Sequence, residues 1–571
     1  MVRARAYFHE QYADEVLTRI AEEGVLHQTE ALKSLEAHAP HIRPVDPSER
    51  LFKTAALISR LQTMLTALRI EPFSSAAKAG VASEEEIEDI DRELSVLEQR
   101  YSAATLRLRS PDATGATTDQ SIDYLAKNQG IVELSNEYKA RLLMWGRRLE
   151  NTRTIEEAKS RCARTSKTLI IEGWIPRGRV NDFERAVNDA AEGYCLTSYT
   201  QPPYGEEPHS HEVRSLPPTK IRNPRIAYVY EKLVTGFGLP NYFEVDPTVF
   251  MIVSFPLIFG LMFGDIGHGL ILLGLSLMLV VVNRSGFRAP ELFEYLIKGS
   301  PLLVMCSIAA IFFGFLYGEA FGSGEYYHIV EDSLHGVLGF SIHEAVRSAS
   351  NSLEEVLSTM VGFPVIIPFP FEPFERPMLL LLVALYVAIV QITLGLILGL
   401  VNQLRRGNYL EAIVGPGLWL WFYSSCSYLF LKYKSELLSV VFQRGDILGL
   451  YIALPAIVMV LARSALHGMD GFGHSLESLI SSLSNSISYG RILALALTHG
   501  AFSRILLMFL ELDGGGQAIV GGLMWAALTF LLIICFEGLL SFIQTLRLHW
   551  VEWFLKFYSG DGYEYKPVRL N

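Results

Sequence analysis

Charged side chains at bilayer depth cost about 2.5–3.5 kcal/mol each, so those found inside long apolar segments need a reason. Residues 473–510 form one such segment and carry Glu477, Ser481, Ser484, Ser488, Arg491 and His499. The first five advance by alternating steps of four and three, which keeps them on one helical face. Glu477 and Arg491 would lie about 21 Å apart along the axis. Residues 517–554 repeat the design with Glu537, Ser541, Gln544 and Arg547, followed by His549. Internal Glu–Arg pairing, or snorkelling of the end charges, could account for any one of these residues. Two matching stripes together favour a path for ions. An arginine has one particular use beside such a path: it stays charged and cannot relay a proton. Opposite a mobile carboxylate it favours the deprotonated form. It would discharge an incoming carboxyl group into one aqueous path and bar leakage to the other. The carboxylate itself need not be in this chain, since a partner moving past could carry it.

The elements that must position these stripes are membrane helices. A crossing needs about 20 mostly apolar residues, and eight candidates stand at roughly 247–263, 266–283, 298–318, 377–402, 409–431, 447–464, 473–510 and 517–554. The last two exceed a bilayer crossing and are expected to tilt. The basic residues Arg284, Arg288, Lys298, Arg405, Arg406, Lys556, Lys566 and Arg569 fall in connections on one side. The acidic Glu325, Glu331, Asp332, Glu344, Glu354, Glu355, Glu511 and Asp513 fall on the other. That bias predicts a multi-pass protein with both ends cytoplasmic. Asp265 and His268 of GDIGHG could hold a metal or a proton. The surrounding Gly260, Gly264, Gly267 and Gly269 favour a polar break where helices turn, so no metal site is expected. Glu319 in LYGEAFG could line an outer ion path or mark the interface. Gln391, Gly395, Gly399 and Asn402 have the spacing of a helix-packing face.

Residues 1–240 read differently, as a charged soluble arm, against a transmembrane domain at 241–571. The whole chain has 571 residues, 50% of them hydrophobic and 19% charged. The opening reads strand (Ala4–Tyr7), helix (Ala13–Glu22) and extended chain at Gly24-Val25-Leu26. Residues 48–108 and 131–161 keep apolar positions at helical spacing across a Ser/Thr/Gly-rich break (Ser110–Ser121), which predicts an antiparallel coiled coil. TLIIEGWIP (168–176) and the amphipathic stretch after it suggest a second small α/β lobe. The Pro-rich segment 202–224 reads as an extended linker. The first fifteen residues have no apolar core, so the arm is expected in the cytoplasm. The five cysteines form no CxxC pair and read as reduced thiols. With no GxxxxGK[ST] sequence, no nucleotide site is expected in this chain, and no cofactor. A basic face for nucleic acid is absent as well, so no nucleic-acid partner is expected.

Four ordered segments carry a resemblance: FGLMFGDIGHG (259–269), FFGFLYGEAFG (312–322), SISYGRILALALTHGAFS (486–503) and RLHWVEWFLKFYSGDG (547–562). Together they resemble subunit a of V-type ATPases, called subunit I in archaeal and bacterial A/V-type enzymes. GWIP (173–176) and the stalk layout extend the likeness more loosely to the soluble half. The resemblance implies an α-helical membrane protein, of about eight transmembrane helices with two long and tilted, behind an N-terminal cytoplasmic α/β-plus-coiled-coil arm. It implies an ion-translocating stator that couples proton or sodium transport to ATP hydrolysis or synthesis on other subunits. Its implied partners are a proteolipid c-ring, peripheral-stalk E–G heterodimers, the central-stalk and A/B catalytic subunits, and membrane lipid. The two family arginines fall on Arg491 and Arg547. The half-channel positions fall on Glu477, Ser488, His499, Glu537 and His549, with Gln544 added from the stripe. Asn485 stands where eukaryotic members often carry histidine. The soluble half is short for the family, and the insertions of eukaryotic members are missing, which implies an archaeal or bacterial cell membrane. The alternative reading, a free-standing secondary transporter or channel, would show paired repeats and broken helices at matching positions. Neither is visible, and such a protein has no need of a 240-residue arm.

Overall fold

A computed structural model describes residues 1–32, 42–70, 80–106, 119–202, 216–285, 290–361, 364–367, 369–437, 443–508 and 516–570. The Ser110–Ser121 break and the 202–224 linker lie largely outside these residues, as do Arg288, Glu511 and Asp513. The chain divides into two units, Met1–Pro218 with Glu564–Asn571, and Thr219–Tyr563.

The first unit is built on β1 (Val2–His9), whose alternating pattern puts Ala4, Ala6 and Phe8 inside. It pairs antiparallel with β5 (Thr168–Ile175) on one side and β6 (Cys195–Thr200) on the other, with Val2 opposite Ile175 and Phe8 opposite Cys195. β2 (His27–Thr29) also pairs with β5, and β3 (Arg43–Pro44) reaches it through β4 (Ala163–Arg164). The two lobes expected at the ends of the arm are therefore one sheet. Local reading separated them because β1 and β5 are some 160 residues apart in sequence. Seven of the eight β5 residues are buried, the mark of a strand covered on both faces. Glu172 is buried with them and is compensated by ion pairs from Arg3 and Arg5. Helices α1 (Ala13–Glu23) and α5 (Val180–Ala190) cover one face through Val16, Leu17, Ile20, Phe183 and Val187. Gly24 ends α1 in the left-handed conformation at φ 58°, which glycine adopts without strain.

The first helical arm is not continuous. It breaks into α2 (Glu49–Ala67) and α3 (Glu84–Leu106), which pack with α4 (Asp119–Ser160) around Leu61, Met64, Leu94, Leu142 and Leu149. Apolar periodicity persists through residue 70, so it could not flag the break. Pro72 and Gly80 were the local signals. The coiled-coil pair is thus a three-helix core. Chain-terminal residues join this unit too: Val568 and Leu570 donate backbone N–H groups to Leu26 and Ala21 carbonyls, and the Lys566 N–H donates to His27 Nδ1.

The second unit is helical. Among the described residues, five helices are long and apolar enough to cross a membrane: Ile266–Arg284, Ser300–Tyr317, Pro377–Arg406, Gly445–Leu507 and Val520–Lys556. Thr248–Met262 is apolar but shorter, and π-helical residues Ile413–Gly417 interrupt the fifth expected span. The sixth and seventh expected spans both fall within Gly445–Leu507, where Gly468, at φ 64° and ψ −134°, kinks the chain between them. The 319–376 connection contains helices Gly324–Leu338 and Ile342–Val361. Two of the singled-out motifs dock on each other. Gly314 lies so close to the start of Ile266–Arg284 that a Cβ would stand 2.4 Å from the Ile266 nitrogen. The packing face of Pro377–Arg406 meets the last helix, with Asn402 Nδ2 donating to the Phe557 carbonyl at 2.7 Å. Gln391 accepts from Tyr489 Oη at 2.9 Å.

Candidate functional site

Within Gly445–Leu507, a serine stripe fixes the rotation of the helix. Ser475, Ser478 and Ser482 are buried and return hydrogen bonds to carbonyls four residues back. Trp419 Nε1 donates to Ser482 at 2.8 Å, and Tyr423 shares a hydrogen bond with Ser486 at 3.0 Å. The opposite stripe faces outward: Glu477 and Ser484 are exposed, and Ser481, Ser488 and Arg491 are half-exposed. The expected single face holds because the turn at Tyr489, between Ser488 and Gly490, is close to helical.

Arg491 has a partner that the sequence reading did not name. Its Nη1 donates to Glu552 Oε1 at 2.8 Å; the Glu552 side chain is 3% exposed and that of Arg491 26%. The clue was a glutamate inside RLHWVEWF, one π-helical turn (Leu548–Trp553) beyond Arg547. Lys556, the next cation, lies over the Trp419 ring at 4.2 Å. A cleft of about 640 Å3 opens on this side, lined by Glu411, Arg463, Glu477, Ser481, Asn485 and Lys556 among others. Arg463 was also missed. It is 8% exposed and its guanidinium donates to the Val414, Gly415 and His474 carbonyls and to Ser478 Oγ.

A second cluster sits about 12 Å further along the helix, eight residues past Arg491. His499 Nδ1 is 3.2 Å from Glu537 Oε2, and both side chains are 2% exposed. The two stripes therefore do meet, at one contact. Asp265 and His268 join them: donor atoms of Asp265, His268 and His499 lie within 4.8 Å of one another, all three residues buried. Asp265 Oδ1 accepts the backbone N–H groups of His268 (2.8 Å) and Phe321 (3.0 Å), and Oδ2 that of Gly322 (2.7 Å). One carboxylate thus caps the helix Ile266–Arg284 and ties it to the LYGEAFG turn. Glu319 is buried beside it, its Oε1 without a hydrogen-bond partner.

The other expected residues are not brought together. Glu537 and Ser541 are buried, Gln544 is half-buried and Arg547 is exposed, without an ion pair among the described residues. Steps of 4, 3 and 3 residues rotate Arg547 by roughly 80° from Glu537, so this stripe turns from the interior to the surface. His549 is enclosed and held at both ring nitrogens, 2.7 Å from Ser254 Oγ and 2.7 Å from the Thr545 carbonyl. A carbonyl only accepts, so Nδ1 carries hydrogen there.

Residues 85–328 and 470–570, more than half of the chain, match the V-type ATPase 116kDa subunit family. This chain belongs to that family. The matched segments contain Arg491, Glu552, His499, Glu537, Asp265, His268 and Glu319, whereas Arg463 and Trp419 lie outside them. Among named relatives, "A-type ATP synthase subunit I" of Methanocaldococcus jannaschii is 24% identical over 508 residues, covering 86% of this chain and 68% of that protein. Subunit I of Saccharolobus solfataricus is 28% identical over 460 residues, covering 70% and 60% respectively. "V-type proton ATPase 116 kDa subunit a 3" of Homo sapiens is 24% identical over 524 residues, covering 71% and 61%. The chain thus spans about three-fifths of the length of most of these members of the 116kDa subunit family.

Proposed function

We propose that this chain is the ion-translocating stator of a V/A-type rotary ATPase. One observation carries the reading. A permanently charged residue, Arg491, lies between an open polar cleft on one side and a buried His/Glu/Asp cluster on the other. Two polar routes separated by an arginine are what a discharge mechanism needs. A carboxyl group on a proteolipid ring would lose its proton as it reached Arg491, because the guanidinium favours its ionised form. Further rotation would then carry it to the other route for reprotonation. Glu477, Ser488 and Asn485 would line the cytoplasmic route, and His499, Glu537 and Glu319 the outer one. Arg547 and Gln544 would border the same ring-facing groove. The enclosed His549, with both nitrogens engaged, fits a supporting role better than a relay.

The arm would bind peripheral-stalk E–G heterodimers and so hold the chain against the ring's torque, with the A/B catalytic and central-stalk subunits elsewhere in the complex. Hydrogen bonds between the chain-terminal residues and the first unit support both ends lying on one side of the membrane. An even number of crossings follows. On this reading, Thr248–Met262, the interrupted span 409–431 and the two sides of the Gly468 kink would be crossings too, which would make eight. Family membership gives no support to a free-standing transporter. The test is ATP-driven ion uptake by reconstituted complexes, wild type against Arg491→Gln after normal assembly is confirmed. Loss of uptake is expected; unchanged uptake refutes the discharge role.

A further inference from the structure

Four buried polar atoms of the inner cluster make no hydrogen bond: His268 Nδ1, His499 Nε2, Glu319 Oε1 and Glu537 Oε1. Each is at least nine-tenths buried, and a buried polar atom left unpaired costs about 1–3 kcal/mol. We propose that Asp265, His268 and His499 form a site for a divalent cation of the Zn2+ type. One donor atom from each lies within 4.8 Å of the others. Zinc bonds of about 2.0–2.2 Å in a tetrahedron place neighbouring ligands about 3.4 Å apart, and His268 Nδ1 already stands 3.2 Å from Asp265 Oδ1. A modest closure of the third ligand completes the set.

The surroundings of His499 add an independent argument. Histidines that bind metal commonly donate their other ring N–H to a carboxylate, which fixes the tautomer and raises ligand basicity. Glu537 takes Nδ1 of His499 and leaves Nε2 unpartnered. The Asp265 carboxylate accepts three backbone N–H groups, out of about four lone-pair positions, so one remains for an ion. Glu319 is buried nearby, its backbone carbonyl accepting the Ile266 N–H, and the fourth position of a tetrahedral ion would be left to water. Among the described residues, no lysine or arginine is ion-paired with Asp265, Glu319 or Glu537. A divalent cation would supply two positive charges there. Two imidazoles with carboxylates select zinc and its neighbours over magnesium or calcium, which prefer oxygen ligands alone. On the reading proposed above, the bound ion would also occupy the outer route and stop transport.

The test uses the purified complex containing the full chain, stripped with chelator and then equilibrated with Zn2+. Bound zinc is counted for wild type, His268→Gln, Glu537→Gln and His335→Gln, the last on an exposed face. Expected are about one zinc more per chain in wild type and His335→Gln than in His268→Gln, and affinity about 10–100-fold weaker in Glu537→Gln. Equal zinc content in wild type and His268→Gln overturns the site. If His268→Gln fails to assemble, Co2+ absorption of the wild type decides. Four-coordinate bands that Zn2+ displaces support the site, and their absence overturns it. Transport separates the two readings. Zinc bound without inhibition of ATP-driven uptake keeps the site and refutes the outer route. Arg491-dependent uptake with no zinc binding keeps the route and refutes the site.

Discussion

Replacing Arg491 by glutamine changes two things at once, and the structure says how to separate them. The arginine is the proposed discharging charge, and it is also the partner that compensates Glu552. Glu552 is 3% exposed and its Oε2 makes no hydrogen bond. Two unit charges about 4 Å apart attract by about 4 kcal/mol at an effective dielectric of 20. Removing one member of a buried pair costs about 3–5 kcal/mol, because the other is stranded. Glutamine returns one neutral hydrogen bond, so a loss of about 3 kcal/mol is expected for Arg491→Gln. Glu552→Gln should cost less, since the arginine is a quarter exposed and can draw on water. The double substitution places two amides side by side with no stranded charge and should recover to within about 1 kcal/mol of wild type. The assay pairs unfolding of the purified chain in mixed detergent with ATP-driven ion uptake by the reconstituted complex. Stability should return in the double variant while uptake stays lost. A double variant as unstable as Arg491→Gln would refute the pairing argument, and restored uptake would refute any need for the arginine's charge.

Three further outcomes follow from other parts of the molecule. Arg463→Ala removes the buried guanidinium that bonds the Val414, Gly415 and His474 carbonyls and Ser478 Oγ and should cost about 3 kcal/mol, since hydrogen bonds from a charged group contribute about 1.5–3 kcal/mol each. Arg463→Lys should recover less than half of that, because an ammonium lacks the planar fork; detergent unfolding measures both. Gly314→Ala forces a Cβ to 2.4 Å from the Ile266 nitrogen, and overpacking of this kind costs about 1–3 kcal/mol, read as a lower unfolding midpoint with Gly274→Ala, where a Cβ meets open space, as the control. Burial holds the His27 imidazole below its ordinary range, and its Nδ1 accepts the Lys566 N–H, a bond that needs the nitrogen's free lone pair. The unfolded chain therefore binds this proton more readily, and stability falls as pH drops below the usual histidine value of about 6.5. Exchange of the Val568 and Leu570 amides, corrected for its intrinsic pH dependence, should accelerate between pH 7 and pH 5, and His27→Gln should flatten that response.

Period-based reading worked where one helix decides the outcome. The 477–491 stripe kept its face because an almost unbroken α-helix carries it. It worked less well at 537–547, where successive steps of three drift around the axis and π-helical turns at Thr529–Glu537 and Leu548–Trp553 alter the period on both sides. Such turns are rare and recur at functional sites, yet nothing in hydrophobic spacing announces them. The Arg491–Glu552 pair was illegible for another reason: it joins residues 61 apart, and one sequence holds no record of which distant groups touch. Asp265 is the intermediate case. Its glycine neighbours correctly signalled a tight turn between helices, but only the fold shows that His499 arrives at the same place. The single sheet of the first unit, closed by strands from opposite ends of the arm, likewise lay beyond any local rule.

The outward stripe argues for something that the chain lacks by itself. Glu477 is 74% exposed, and Ser484 and Arg547 are exposed with it. Beside them stand Ile480, Leu483 and Ile487, each more than 60% exposed. Against lipid, the apolar three are at home and the charged two are costly; against bulk water, the preference reverses. A mixed surface at this depth is stable only where one strip meets a polar, partly hydrated partner while its flanks meet hydrocarbon. On the proposed reading, a ring of apolar helices carrying one carboxylate each would be that partner, with its apolar surface against Ile480, Leu483 and Ile487 and its acid opposite Arg491. On the proposed reading, the cleft beside Arg491 is therefore half of a channel whose other wall rotates. On that reading the buried cluster at His499 would connect to the same wall, where a carboxylate discharged at Arg491 would take up its next proton.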